Sequence, residues 1–172
     1  MAELTRFYNM FQPSHYDIYL NIDRSSKTIS GTTTISGVAQ TSKIALHQKD
    51  LSVSGVQVDG QSVPFVINRE LDALNISLPK SGSTKVTVDY TAPLTDTMMG
   101  IYPSYYEIDG EKKQIIGTQF ETNFARQAFP CIDEPEAKAT FDLAIKFDEQ
   151  PDETVLANTP ELRVENSIHY FD

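Results

Sequence analysis

The sequence of 172 residues contains one cysteine and no long apolar run. A single cysteine cannot form a disulfide within the chain, which is typical of proteins from a reducing compartment. No segment approaches the roughly 20 apolar residues that a helix needs to cross a bilayer, and the opening residues lack the apolar core of a signal peptide. The sequence therefore predicts a soluble, cytoplasmic protein with no membrane partner.

Basic residues are scarce as well. Lysine and arginine together number 14 against 24 aspartates and glutamates, which gives a formal net charge of −10 and a pI of about 4.7. Binding to a phosphate backbone requires clustered positive side chains that neutralise the phosphates. The composition therefore argues against nucleic acid as a partner.

Metal ligands and nucleophiles are also few. His15, His47 and His169 are far apart in sequence and form no His-x-x-x-His pair, whereas a zinc site needs three or four ligands that converge on one point. Cys131 lies between a proline and an isoleucine, a context in which cysteine is usually a small buried apolar residue rather than a nucleophile. We therefore expect no metal site and no catalytic residue in this chain.

The sequence does contain a series of short strand patterns. Residues 15–22, HYDIYLNI, alternate apolar and polar side chains, and similar segments follow between Gly, Pro and Asp residues. Asp59-Gly60 and Asp109-Gly110 are pairs that favour tight hairpin turns. This pattern is typical of an all-β fold, an antiparallel sandwich or barrel. We expect one domain over residues 1–172, truncated at its C-terminal end because the strand pattern continues to the last residues.

Helical signals are nearly absent. Residues 122–129, TNFARQAF, favour a helical turn, and Thr122 or Asn123 is the candidate cap. The strand pattern resumes in residues 138–147, KATFDLAIKF, where apolar side chains fall on one face. Two more short strands are predicted between residue 153 and the end of the sequence.

Residues 118–141, TQFETNFARQAFPCIDEPEAKATF, combine acidic residues, an arginine and the cysteine. Asp133, Glu134 and Glu136 could act as a glycosidase pair only if two of them faced each other across a cleft. Acids this close in sequence are more often a cap, an ion pair and a solvated charge. We favour a structural role for Arg126 and Asp133, because a loop with two prolines makes few regular backbone bonds and needs side-chain partners.

Gln119 and Glu121 form a different pattern. If a strand ends here, residues two apart project to the same face, about 6.5–7 Å apart, while Phe120 turns into the core. The amide and the carboxylate could then accept hydrogen bonds from a cation such as an ammonium group. Two ordinary polar residues on a solvated face would give the same pattern, so the residues alone leave both interpretations open.

The block of residues 118–141 resembles the corresponding block in the N-terminal domain of the zinc aminopeptidases related to aminopeptidase N. The segments FQPSHYDIYLNID, ISGTTTI, IALHQKDLSV and MMGIYPSYY are similar to elements of that family in the same order, and the chain looks like a member from lactic acid bacteria. The resemblance covers nearly the whole chain. It implies a saddle-shaped antiparallel β-sandwich that packs against a thermolysin-like catalytic domain.

The resemblance also implies roles for particular residues. Gln119 and Glu121 match the family residues that hold the free α-amine of a peptide substrate, which makes peptide N-termini the expected partner. The family scaffold residues of the block match five positions here, which are Arg126, Phe129, Pro130, Asp133 and Pro135.

The family's catalytic motifs are missing from the sequence. Neither Gly-x-Met-Glu-Asn nor His-Glu-x-x-His occurs in it, and in the family both lie in the next domain. We therefore expect zinc in the full-length enzyme, no zinc on this chain, and no aminopeptidase activity from these residues alone. The alternative is a stand-alone β-sandwich that serves as a binding module, and the gene sequence after codon 172 would distinguish the two.

Overall fold

The computed structural model describes residues 6–151 and 153–172, and this part of the chain is all-β. Its regular structure consists of strands and two short 3-10 turns. No helix among the described residues is long and apolar enough to span a membrane. In chain order, the strands are β1 (Phe11–Asp23), β2 (Thr28–Ala39), β3 (Lys43–His47), β4 (Ser52–Val58), β5 (Gln61–Ser62), β6 (Phe65–Asn68), β7 (Ala73–Ser77), β8 (Gly82–Pro93), β9 (Gly100–Ile108), β10 (Glu111–Gln119), β11 (Thr140–Phe147), β12 (Arg163–Glu165) and β13 (Ile168–Phe171).

Two sheets enclose the core. The larger has eight strands in the order β12-β13-β11-β1-β2-β8-β4-β5, and the smaller has the order β3-β7-β6. One apolar cluster contains buried residues from both, such as Ile35 and Val88 of the large sheet and Leu46 and Leu74 of the small one. The large sheet stays open, with β12 and β5 at its edges. The fold is therefore the predicted β-sandwich.

Strand β1 shows how the sequence pattern selects the two faces. Tyr16, Ile18 and Leu20 are buried, whereas the alternating residues His15 and Asp17 are half-buried on the opposite face. Side chains in a strand alternate between its faces, so the alternation of apolar and polar residues fixes which face joins the core. The predicted strand is confirmed.

Both predicted Asp-Gly hairpins are present. Asp59 and Gly60 have φ values of 49° and 81° and join β4 to β5, and Asp109 and Gly110 have φ values of 54° and 81° and join β9 to β10. Positive φ at both central residues is what a type I′ turn requires. The second hairpin forms a separate two-stranded sheet.

The antiparallel prediction is wrong for one strand pair. β11 runs parallel to β1, with His15 opposite Thr140 and Ile22 opposite Phe147. The reason lies in the segment before β11: Glu134 Oε1 accepts hydrogen bonds from the backbone N–H groups of Phe7 and Tyr8, at 2.6 and 3.3 Å. The chain is therefore held beside the start of β1, and it enters the sheet in the same direction.

The predicted helical turn exists, but its predicted cap does not. The turn is a single 3-10 turn, Ala125–Gln127, with Phe124 at the N-cap position and no side-chain capping bond. The Phe124 N–H donates instead to the Phe120 carbonyl, at 2.9 Å. The cap prediction of Thr122 or Asn123 is wrong because the turn begins after both residues.

Candidate functional site

Gln119 and Glu121 lie where strand β10 gives way to a turn. Gln119 is the last strand residue and pairs with Gly100 of β9, and Glu121 lies in the turn that follows. Both are exposed, and Phe120 between them is partly buried. The strand thus ends before Glu121, although the outward amide and carboxylate still flank an inward aromatic ring.

Neither polar side chain has a partner within the described part of the chain. In residues 6–151 and 153–172, no side-chain hydrogen bond or ion pair engages Gln119 or Glu121. Glu121 is an uncompensated carboxylate in a chain whose net charge is already −10. The pair is therefore available to a ligand that carries positive charge and hydrogen-bond donors.

Aromatic rings anchor the backbone beneath this pair. Phe120 packs edge-on against Phe129, with ring centroids 5.8 Å apart, and Phe129 packs edge-on against buried Tyr16 at 6.3 Å. Edge-to-face pairs stabilise such contacts beyond their buried area. The exposed pair therefore lies on a base that is continuous with the core.

Arg126 and Asp133 form an ion pair that closes the loop behind the turn. Arg126 Nε donates to Asp133 Oδ2 at 2.8 Å, and a terminal nitrogen of the guanidinium donates to the Asp133 carbonyl at 3.2 Å. The side chains are only 13% and 10% exposed. A nearly buried pair of this kind holds two loop segments together, which supports the structural interpretation of these residues.

His47 joins the same network, although sequence reasoning did not find it. Its backbone forms an isolated antiparallel bridge with Cys131, and its Nδ1 accepts a hydrogen bond from the Asp133 N–H at 3.1 Å. Burial, and then the nearby Arg126 guanidinium, lower the pKa of His47 to about 4. The imidazole is therefore neutral at physiological pH, and its tautomer carries the proton on Nε2. His47 lies here because the end of β3 forms a bridge with a loop that is distant in sequence. The residues around His47 in the sequence therefore do not predict this contact.

The remaining scaffold residues differ in exposure. Phe129 and Pro130 are buried, whereas Pro135 is exposed. Cys131 is 4% exposed, and burial raises the pKa of its thiol well above the usual range. A buried neutral thiol is a poor nucleophile, so Cys131 packs as a small apolar residue.

The described residues do not fit a catalytic zinc of the kind that the resemblance implies. The group of possible ligands that they bring together consists of His15, Asp17 and Asp142 and contains a single imidazole, while the expected motif supplies two. His47 bonds to Asp133, and His169 Nδ1 lies 2.8 Å from a carboxylate oxygen of Glu161. We derive no catalytic step from a metal on these residues.

Comparison with known proteins gives a consistent result. Residues 12–171 match the family model described as the peptidase M1 N-terminal domain. The chain is 58% identical over 166 residues to aminopeptidase N of Lactobacillus delbrueckii subsp. lactis and 54% identical over 168 residues to aminopeptidase N of Lactobacillus helveticus. These alignments cover 96% and 97% of this chain and 20% of each relative.

A more distant relative is also matched over a small part of its length. Aminopeptidase M1 of Arabidopsis thaliana is 36% identical over 162 residues, which cover 86% of this chain and 18% of that protein. The chain therefore spans about one fifth of the length of the curated relatives it matches.

Proposed function

Because this chain belongs to the peptidase M1 N-terminal domain family, we propose that it is the scaffold and substrate-anchoring domain of a zinc-dependent aminopeptidase. The enzyme would remove N-terminal residues from peptides in the cytoplasm. The relatives carry the name aminopeptidase N and are about five times longer than the aligned segment. The proposal assigns the zinc ligands and the catalytic groups to the portion of those proteins that this chain does not span.

The observation that carries the proposal is the exposed pair of Gln119 and Glu121, which has no partner among the described residues. A peptide α-ammonium group offers three N–H donors and a positive charge. A carboxylate accepts the stronger, charge-assisted bond, and the amide oxygen accepts a neutral one. Recognition of this charge would distinguish free N-termini from blocked ones, because a blocked amine leaves the carboxylate without its counterion.

The contacts of the loop that follows β10 support the scaffold role of the domain. Binding residues act best when the surrounding structure fixes their positions. Phe120 rests on Phe129, and the ion pair of Arg126 with Asp133 closes the loop that follows. These contacts would hold Glu121 at a constant distance from a catalytic domain docked beside it.

The test compares two substitutions in the aminopeptidase that carries this domain. Losing a charged partner at a desolvated site costs about 2–5 kcal/mol, and losing a neutral hydrogen bond costs about 0.5–1.5 kcal/mol. We expect Glu121→Gln to lower kcat/KM for a free-amine peptide at least about thirtyfold and Gln119→Ala about two- to tenfold. Because the anchor positions the scissile bond, the loss should appear in kcat as well as in KM.

Glu107→Gln is the matched control. Glu107 is exposed on the same hairpin, and its replacement removes the same charge, so kcat/KM should stay within about twofold of the wild-type value. Peptides with an acetylated N-terminus should be poor substrates for every variant. A value within about threefold of wild type for Glu121→Gln would contradict the anchoring role.

A further inference from the structure

Three possible metal ligands meet on the outer face of the large sheet, away from the core. His15 and Asp17 belong to β1, and Asp142 belongs to β11. The parallel register sets Asp17 directly opposite Asp142. His15 Nε2 lies 3.4 Å from Asp17 Oδ1 and 3.6 Å from Asp142 Oδ2, and the three ligand atoms all lie within 4.8 Å of one another.

The hydrogen bonds of Thr140 determine the orientation of the imidazole. Its hydroxyl lies 3.4 Å from the Ser14 carbonyl, which can only accept, so the hydroxyl proton is donated there. The same oxygen lies 2.7 Å from His15 Nδ1 and accepts the Nδ1–H when the ring carries its proton there. In that neutral tautomer, Nε2 presents a lone pair toward both carboxylates. The three acceptor atoms can then converge on a cation.

The neighbouring strand β2 brings no charge to this cluster. On the other side of β1, the residues opposite His15 and Asp17 are Ser36 and Thr34 of β2, which carry no charge. Like charges directly opposite each other destabilise a sheet. A cation bound between the carboxylates of Asp17 and Asp142 would relieve this repulsion.

We propose that His15, Asp17 and Asp142 bind a divalent transition-metal ion of the Zn²⁺ class. An imidazole nitrogen with carboxylate oxygens suits Zn²⁺ and similar ions, whereas Mg²⁺ and Ca²⁺ prefer oxygen ligands alone. The Thr140 hydroxyl lies 2.7 Å from His15 Nδ1, and metal-bound histidines usually have such a partner on the ring nitrogen that does not bind the metal. The side chains are 30%, 48% and 59% exposed, so water completes the coordination and the ion exchanges with solvent.

This site is separate from the proposed peptide anchor. It uses none of the residues of the block 118–141 except through the Thr140 contact, and it lies on strands of the large sheet rather than on the hairpin. Its sequence signal is the His-x-Asp pair, which places two ligands on one face of a strand. The third ligand, Asp142, lies on a strand that is far from His15 in sequence, so the residues around His15 do not reveal the cluster.

The experiment is calorimetric titration of the full 172-residue chain with ZnCl₂, and with MgCl₂ for comparison. We expect one Zn²⁺ per chain and at least about tenfold weaker binding of Mg²⁺. His15→Gln and Asp142→Asn should each weaken Zn²⁺ binding at least about tenfold. Asp109→Asn removes the same charge from the exposed tip of the separate hairpin, and it should leave the affinity within about twofold.

Nitrogen-15 spectra of the histidine rings of the unaltered chain give a test that needs no variant. Zn²⁺ should shift the Nε2 signal of His15 and leave those of His47 and His169 in place. The proposal is overturned if no stoichiometric Zn²⁺ binds, if His15→Gln binds as tightly as the unaltered chain, or if the His15 signals do not move.

Discussion

Asp133 and Glu121 are two carboxylates of one loop block with opposite environments. Asp133 is nearly buried and accepts hydrogen bonds from the Arg126 guanidinium, whereas Glu121 is exposed and has no partner among the described residues. A carboxylate that leaves water must be paired to remain charged. The carboxylate of Asp133 therefore has a structural role, because it is already paired with Arg126. Only a carboxylate outside such a network is free to recognise a ligand. The predictions below test this difference between the two residues.

The largest effect should follow from Asp133→Ala. The substitution leaves the Arg126 guanidinium, 13% exposed, without its counterion, and it deletes the two hydrogen bonds that the Asp133 carboxylate accepts from Arg126. Breaking a buried ion pair on one side typically costs about 3–5 kcal/mol. We expect the free energy of unfolding, measured by urea titration of the 172-residue chain, to fall by about this amount. A decrease below about 1 kcal/mol would show that the pair behaves as a surface ion pair.

The second prediction concerns the pH dependence of stability through His47. The pKa of this imidazole is lowered to about 4 in the folded chain, while an unperturbed histidine has a pKa near 6.5. Between these values the unfolded chain binds more protons, so stability increases as pH rises from about 4 to about 6.5. The gain is about 3 kcal/mol over this window and should appear in urea midpoints measured at several pH values.

The control for that prediction is His47→Gln. Glutamine does not titrate, so the variant should lose most of the increase in stability between pH 4 and 6.5, whatever its stability at neutral pH. Titrating carboxylates affect both proteins and cancel in the comparison. Equal slopes for the variant and the unaltered chain would mean that His47 is not the group responsible.

The smallest effect should follow from changes at the exposed pair. Neither Glu121→Gln nor Gln119→Ala removes a hydrogen bond or ion pair among the described residues, and surface substitutions of this kind usually change stability by less than about 0.5 kcal/mol. Thermal unfolding of the two variants should match that of the unaltered chain. If Glu121→Gln unfolded at a clearly lower temperature, Glu121 would belong to the structural group with Asp133.

The parts of the fold that depend on local patterns could be predicted from the sequence. The alternation of Tyr16, Ile18 and Leu20 identifies the buried face of β1, and the positive φ values of Asp109 and Gly110 follow from the preference of that pair for tight turns. The exposure of Gln119 at the end of β10 agrees with the same kind of alternation, whereas Glu121 is exposed in the turn that follows the strand. Each of these features is determined by residues that are close together in the sequence.

The features that depend on distant pairing could not be predicted. The parallel pairing of β11 with β1 joins segments far apart in sequence, as does the contact between Glu134 and the backbone of Phe7. His47 meets Asp133 because β3 ends beside the loop. The meeting of His15 with Asp142 depends on the same parallel register. Side-chain identity gives no information about such partners until the topology is known.

The parallel pairing of β1 with β11 also bears on how the chain folds during synthesis. Thr140 pairs with His15 across 125 residues, so the edge of β1 that pairs with β11 lacks that partner until residues 140–147 have left the ribosome. Contacts this distant in sequence slow folding, and an unpaired strand edge is a template for association with other chains. The nascent protein thus passes through an interval in which β1 can pair with β2 but not yet with β11, and the open edge of β1 raises the risk of aggregation during this interval.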